Sequence, residues 1–280
     1  MIRLPRFLLF WAAAPAVVLG VWLIGVAEAP RSVRILQVVV ATVAAAGFVV
    51  LVGIRRVMHA RDSQWLVLAL VLSLFIPLLT GSRDGPERWL VLGGASLYVA
   101  PVVLPFALFL LGAPLRAPAI YAASVIAAAT ALMLQPDASQ LSAFSLAMQV
   151  LLVASNAHRL FRLGLSAILL CCGVVAWRTP DPLVPVRYVE GVFKLAAEVS
   201  TFALSAALIS AALPVIAFAW VARVTRSSGT FAIAIYYASL FALAPLQATP
   251  VPLLGFGTGP ILGYFLVASV VSREIEGRAP

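Results

Sequence analysis

Residues Pro180–Glu198 read PDPLVPVRYVEGVFKLAAE. This segment holds three of the chain's ten acidic residues, Asp181, Glu190 and Glu198, together with Arg187 and Lys194. Long apolar runs, 163–177 and 199–222, lie on either side of it. A polar segment held between two such runs reads as a connection between membrane spans. The whole chain has that character: 280 residues, 63% hydrophobic and 10% charged, with mean hydropathy +1.09. Soluble domains carry about 25% charged residues, so composition excludes a soluble fold. The apolar runs are continuous rather than alternating, which argues against a membrane barrel and against strands in general. The expected fold class is all-α, a polytopic integral membrane helical bundle forming one domain over residues 1–280.

Ten apolar runs fit as spans: 7–27, 35–54, 64–80, 90–112, 117–135, 140–156, 163–177, 199–222, 230–247 and 252–272. Several lie near the lower limit of about 17 residues, which suits tilted helices or ends packed inside the bundle. The first follows Arg3 and Arg6 like a secretion signal, but it is long enough to cross a bilayer and reads as a retained span. With the N-terminus in the cytoplasm, 12 of the 19 basic residues fall on the cytoplasmic side and seven outside. Seven of the ten acids fall outside, so the whole net charge of +9 lies on the inner face. That is the asymmetry of the positive-inside rule, and it puts both termini in the cytoplasm. The basic balance therefore reads as orientation and contact with anionic lipid, not as nucleic-acid binding.

Other signals are bland. Cys171 and Cys172 are adjacent within an apolar run and read as small packing residues. His59 and His158 sit among arginines without partners at metal-ligand spacing, and no metal site is expected. The chain has no P-loop, no dinucleotide-binding glycine turn and no CxxC.

In this orientation four outer connections stand out: Gly81–Trp89, Gln135–Gln140, Pro180–Glu198 and Gln247–Gly259. Polar backbone broken by proline and glycine is tolerated at membrane depth only where protein or a watery cavity covers it. Four such segments on one side imply a shared outward-facing cavity.

Each of the four resembles, in order, a motif of the SEDS family (shape, elongation, division and sporulation), the RodA/FtsW type of bacterial cell-wall polymerase. Asp84-Gly85-Pro86-Glu87-Arg88-Trp89-Leu90-Val91-Leu92-Gly93 is similar to the family's N-G-x-x-R-W-I-x-L-G. Gln135-Pro136-Asp137 matches the start of Q-P-D-L-G-T. Val189-Glu190-Gly191-Val192-Phe193, followed by Ala197-Glu198, resembles T-D-F-I-F with its later A-E pair. Pro250-Val251-Pro252-Leu253-Leu254-Gly255-Phe256-Gly257-Thr258-Gly259 is similar to P-x-P-F-I-S-Y-G-G-S-S. The resemblance is clearest over residues 80–272 and is that of a short, divergent member. Two family charges are missing: after Gly93 the family has Gln-Pro-Ser-Glu and, three residues later, a lysine, where this chain has Tyr98-Val99-Ala100-Pro101 and Leu104. The family's essential aspartate is Glu190 here.

The resemblance implies a cell-envelope protein of the bacterial inner (cytoplasmic) membrane, acting in cell shape or division. It implies a glycosyltransferase that polymerises a polyprenyl-diphosphate-linked disaccharide at the outer face. Such a reaction needs a base for the acceptor hydroxyl and positive charge at the departing diphosphate. Glu190 takes the catalytic role of base, with its proton affinity raised by a half-apolar loop. The longer side chain displaces the carboxylate by roughly 1–1.5 Å relative to aspartate. Arg88 is the first candidate for the diphosphate, with Arg187 and Lys194 next and Trp89 and Asp137 also in the substrate-binding set. Glu198, Gly257 and Gly259 take supporting structural roles. Plainer readings stand beside these. Lys194 pairs with Glu190 one helical turn away; Arg88 with Trp89 anchors at the interface; Asp137 caps the next helix; and Glu198 opens the eighth span, where a helix N-terminus favours an acid. No cofactor is required by the sequence, although the resemblance admits a divalent cation such as Mg. The implied partners are membrane lipids and a single-span transpeptidase, a class B penicillin-binding protein. Two other functions stay open: a non-catalytic scaffold or lipid-precursor binder, and a flippase or transporter of the lipid-linked precursor.

Overall fold

The computed structural model describes residues 7–53, 60–80, 87–92, 95–181 and 183–277. Asp84, Gly85, Pro86 and Gly93 of the first loop motif lie outside the described residues, as do Arg3, Arg6, Arg55, Arg56, His59 and Arg278. The described chain is a helical bundle. Its elements are α1 (Leu8–Val26), α2 (Arg31–Gly53), α3 (Ala60–Leu72), a 3-10 turn (Ser73–Phe75), α4 (Ile76–Thr80), β1 (Trp89–Leu92) and β2 (Ala95–Tyr98). There follow α5 (Ala100–Leu111), α6 (Pro118–Leu134), α7 (Ala138–Ala154), α8 (Arg159–Arg178), α9 (Val192–Val199), α10 (Thr201–Thr225), α11 (Ser228–Leu243), a 3-10 turn (Ala244–Leu246) and α12 (Thr258–Gly277).

Helices form here because the apolar runs must satisfy their backbone internally when surrounded by lipid. Among the described residues, five helices are long and apolar enough to cross a membrane: Leu8–Val26, Arg31–Gly53, Arg159–Arg178, Thr201–Thr225 and Ser228–Leu246 with its 3-10 turn. The surface confirms the solvent. Trp11, Val18, Leu170 and Phe202 all stand exposed, the last at 84%. Large apolar side chains exposed in this number suit a lipid surround, and the long apolar helices are those of a polytopic membrane bundle by length and composition.

Two expectations are corrected. The run 90–112 is not one span. Its first part is an antiparallel hairpin pairing Trp89 with Tyr98 and Leu90 with Leu97, and only Ala100–Leu111 is helix. Strands therefore occur, in one two-stranded sheet among the described residues. Glu198 does not open the eighth span. It lies in the last turn of the short helix α9, and Ser200, in extended conformation, caps α10 by accepting from the Ala203 N–H at 3.0 Å. A serine hydroxyl satisfies that helix end, so no acid is needed there.

At the centre, α12 packs against α2 and α5, and α11 against α5, α7 and α10. The contact of α12 with α5 is backbone to backbone. A Cβ added at Gly263 would overlap the Pro101 carbonyl oxygen, and one at Gly259 would overlap that of Tyr98. Gly259 thus lets α12 seat against the hairpin. Because the obstacle is backbone rather than a flexible side chain, Gly263→Ala forces the helices apart. The expected cost is about 1–3 kcal/mol, read as a lower melting midpoint of the purified protein in detergent. An unchanged midpoint would show that the contact is loose.

Candidate functional site

Three connections meet at one end of the bundle. Arg88 and Trp89 enter from the hairpin, Asp181, Leu183, Pro185 and Glu190 from the segment after α8, and Gln247, Ala248 and Pro250 from the segment before α12. With Tyr98 they line one cleft of about 10 Å³, room for a single water. Residue Asp137, from the fourth connection, sits behind it and reaches it through Tyr98.

Arg88 is the charge at the centre. It is 2% exposed, and its Nη2 meets the Asp181 carboxylate at 2.6 Å and lies 3.5 Å from the Pro136 carbonyl oxygen. Its Nε is buried with no hydrogen-bond partner. Burial alone would lower its pKa; the charge of Asp137, the Tyr98 hydroxyl and Asp181 outweigh burial and raise it, so the guanidinium stays charged. Asp137 is fully buried, accepting from the Tyr98 hydroxyl and, at 3.3 Å, from the Gln140 N–H. It is the N-cap of α7, and burial raises its pKa against the pull of Arg88. Trp89 stacks on Tyr98 across the hairpin, with ring centroids 5.0 Å apart.

Glu190 belongs to a tight turn. The Val189, Glu190 and Gly191 N–H groups all point at the Val186 carbonyl oxygen, and the Glu190 carboxylate accepts from the Val186 N–H at 2.9 Å. Its pKa is raised by burial, with the backbone donors and Arg88 pulling the other way. The turn is held by the last connection. Val189 accepts from the Val251 N–H at 3.1 Å and Tyr188 from the Phe256 N–H at 2.8 Å. A Cβ on Gly255 would overlap the Val189 carbonyl oxygen, so only glycine allows this approach.

The remaining candidates lie elsewhere. Arg187 is 68% exposed and pairs with Glu198 at 2.5 Å, away from the cleft. Exposed pairs of that kind contribute little. Lys194 is exposed on α9, and no ion pair joins it to Glu190 among the described residues. Gly257 donates its N–H to the Gln37 side chain at 3.3 Å.

Several partners were invisible in the sequence reading. Asp181 appeared only as one charge among five, because its partner is remote in the chain. Gln37, in an apparently featureless span, is 1% exposed and grips both Gly255 and Gly257, tying α2 to the last connection. Gln140 donates to Thr249 at 3.2 Å and accepts from the Tyr236 hydroxyl at 2.5 Å. The available signal was a buried amide inside an apolar run, which must find partners.

Asp181 is committed to Arg88, and Asp137 to Tyr98 and Gln140. Among the described residues no three His, Cys, Asp or Glu side chains gather at ligand spacing. As paired here, these carboxylates form no preformed divalent-cation site among the described residues.

No protein-family model matches the chain, and no curated protein matches it. Solved structures do. The chain is similar to an aspartate-to-alanine mutant of the rod shape determining protein RodA from Thermus thermophilus, at 19% identity, TM-score 0.71 and 98% coverage of both chains. It is similar to the unmutated Thermus thermophilus RodA at 19% identity and TM-score 0.70, covering 98% of this chain and 97% of that one. A third match, at 18% identity and TM-score 0.66, covers 96% and 97% and comes from a peptidoglycan synthase complex described as coordinating polymerization and crosslinking. The chain has the RodA fold. That likeness takes in α1 and α2, which carry none of the loop motifs.

Proposed function

We propose that this protein is a SEDS member of the bacterial inner membrane that polymerises a lipid-linked cell-wall disaccharide at the outer face. The observation carrying this reading is that Arg88 and Glu190, from remote loops, line one cleft in a bundle of RodA fold. In the proposed reaction Glu190 takes the proton of the acceptor sugar hydroxyl. The hydroxyl oxygen bonds to the anomeric carbon of the donor, the bond from that carbon to the diphosphate oxygen breaks, and polyprenyl diphosphate departs. Arg88 offsets the charge on the diphosphate. The cleft has room for no more than a single water, so the donor must displace Asp181 from Arg88 and exchange one anion for another.

A base must be ionised to act. Since burial raises the Glu190 pKa, polymerisation is expected to fall with decreasing pH at a midpoint above the usual glutamate value of about 4.3. The pH profile of initial polymer formation checks this; a midpoint at or below the usual value would contradict it.

A second reading, a scaffold or lipid-precursor binder, is favoured by one specific observation. Pro101 and Leu104, where the family resemblance expects a glutamate and a lysine, are buried apolar residues of α5. The two readings separate on reconstituting the purified protein with lipid-linked disaccharide, alone and with a single-span transpeptidase. Polymer in either condition supports the enzyme. Saturable binding of the disaccharide without polymer in both would replace it with the binder.

A further inference from the structure

We propose that the groove between α7 and α8, at the end of the bundle away from the cleft, binds the headgroup of an anionic phospholipid. Helix α7 starts beside Asp137, and the groove residues Gln149, Leu152 and Val153 lie about 18–25 Å further along its axis. Opposite them α8 contributes Arg159, Arg162, Leu163 and Ser166. The groove has a volume of about 280 Å³.

Its chemistry is split. Arg159 and Arg162 are three residues apart on one helix, so both guanidinium groups stand on one face. Neither has an ion-pair partner among the described residues. Residues 138–180 contain no aspartate or glutamate, so neither α7 nor α8 supplies a countercharge. The Gln149 side-chain oxygen accepts from the Ser166 hydroxyl at 2.8 Å, which leaves the amide nitrogen to donate. Beside these donors the wall is apolar, and Val153, Leu160, Leu163 and Leu170 face outward, with Val153 at 75% exposure. A free phosphate would use the guanidinium groups and leave the apolar wall idle. A phospholipid uses both: phosphate oxygens at the arginines and the Gln149 amide, and an acyl chain along the outward face of α8. Basic pockets between membrane helices on the cytoplasmic side take anionic headgroups in this way. The charge asymmetry of the chain puts this end in the cytoplasm.

The test is native mass spectrometry of the full-length protein in a neutral detergent, titrated with dioleoyl phosphatidylglycerol or dioleoyl phosphatidylcholine. The expected result is one phosphatidylglycerol retained with at least tenfold preference over phosphatidylcholine, and unaffected by millimolar inorganic phosphate. The double variant R159Q/R162Q, checked for an unchanged melting midpoint, is expected to bind about twentyfold more weakly. R159K/R162K keeps the charges and retains most of the binding, and R116Q/R223Q, at the same end of the bundle, retains all of it. Equal binding of the two lipids overturns the proposal, as does undiminished binding by a folded R159Q/R162Q protein. Equal loss in R116Q/R223Q makes the attraction a diffuse surface charge, and displacement by inorganic phosphate makes it a free-anion site; either result also overturns it. If R159Q/R162Q does not fold, loss of phosphatidylglycerol from the folded single variant R162Q decides in its place.

Discussion

Replacing Arg88 with methionine is expected to destabilise the bundle by about 3–5 kcal/mol, the cost of removing one partner from a buried charge network. The guanidinium is 2% exposed, so water does not substitute for it. Its loss strands Asp137, which is fully buried and keeps only the Tyr98 hydroxyl and the Gln140 N–H. Asp181 suffers less, because at 29% exposure it can turn to solvent. The penalty also has a pH signature. Asp137 already has a raised pKa in the folded protein, and without Arg88 that pKa rises further. A carboxyl whose folded pKa is raised destabilises the fold above its unfolded pKa and not below it. The gap between Arg88→Met and wild type should therefore shrink as pH falls toward the usual aspartate value of about 3.9. Melting midpoints across pH check both parts. A variant melting with wild type at neutral pH would remove Arg88 from the centre of the site.

The second large effect concerns Glu190. Loss of a positioned general base lowers rates by about 10²–10⁴-fold, and Glu190→Gln should do this to polymer formation while leaving the fold intact. The amide oxygen of glutamine can still accept from the Val186 N–H, so the turn survives. Glu190→Asp is the sharper variant. It restores the acid expected from the family resemblance, but withdraws the carboxylate by roughly 1–1.5 Å in a turn where the longer side chain reaches back to its own backbone. Misplacement on that scale costs about 10²-fold. A folded Glu190→Asp protein is thus expected to fall well below wild type, despite keeping the charge.

The bundle was legible because its cause is local: runs of apolar residues too long and too continuous for a soluble core. The hairpin was missed for a related reason. Trp89–Tyr98 merges with the following helix into one apolar run, and hydropathy does not distinguish strand from helix. The Gly93-Gly94 pair between two short apolar stretches was the available hairpin signal. In the site, Arg88 and Glu190 stood out as charges in an oily chain. Asp181, Gln37 and Gln140 did not, because their meaning lies in partners across the fold. The same holds for Arg187 and Lys194: as charges they stood next after Arg88, and their exposure, against the burial of Arg88, sets them outside the cleft.

The most direct measurement is the initial rate of polymer formation from lipid-linked disaccharide by reconstituted wild type and Glu190→Gln, with melting midpoints matched. The account predicts polymer from wild type and a fall of at least 10²-fold in the variant. Equal polymer from both proteins would contradict it, and Glu190 would then be no more than the cap of its own turn.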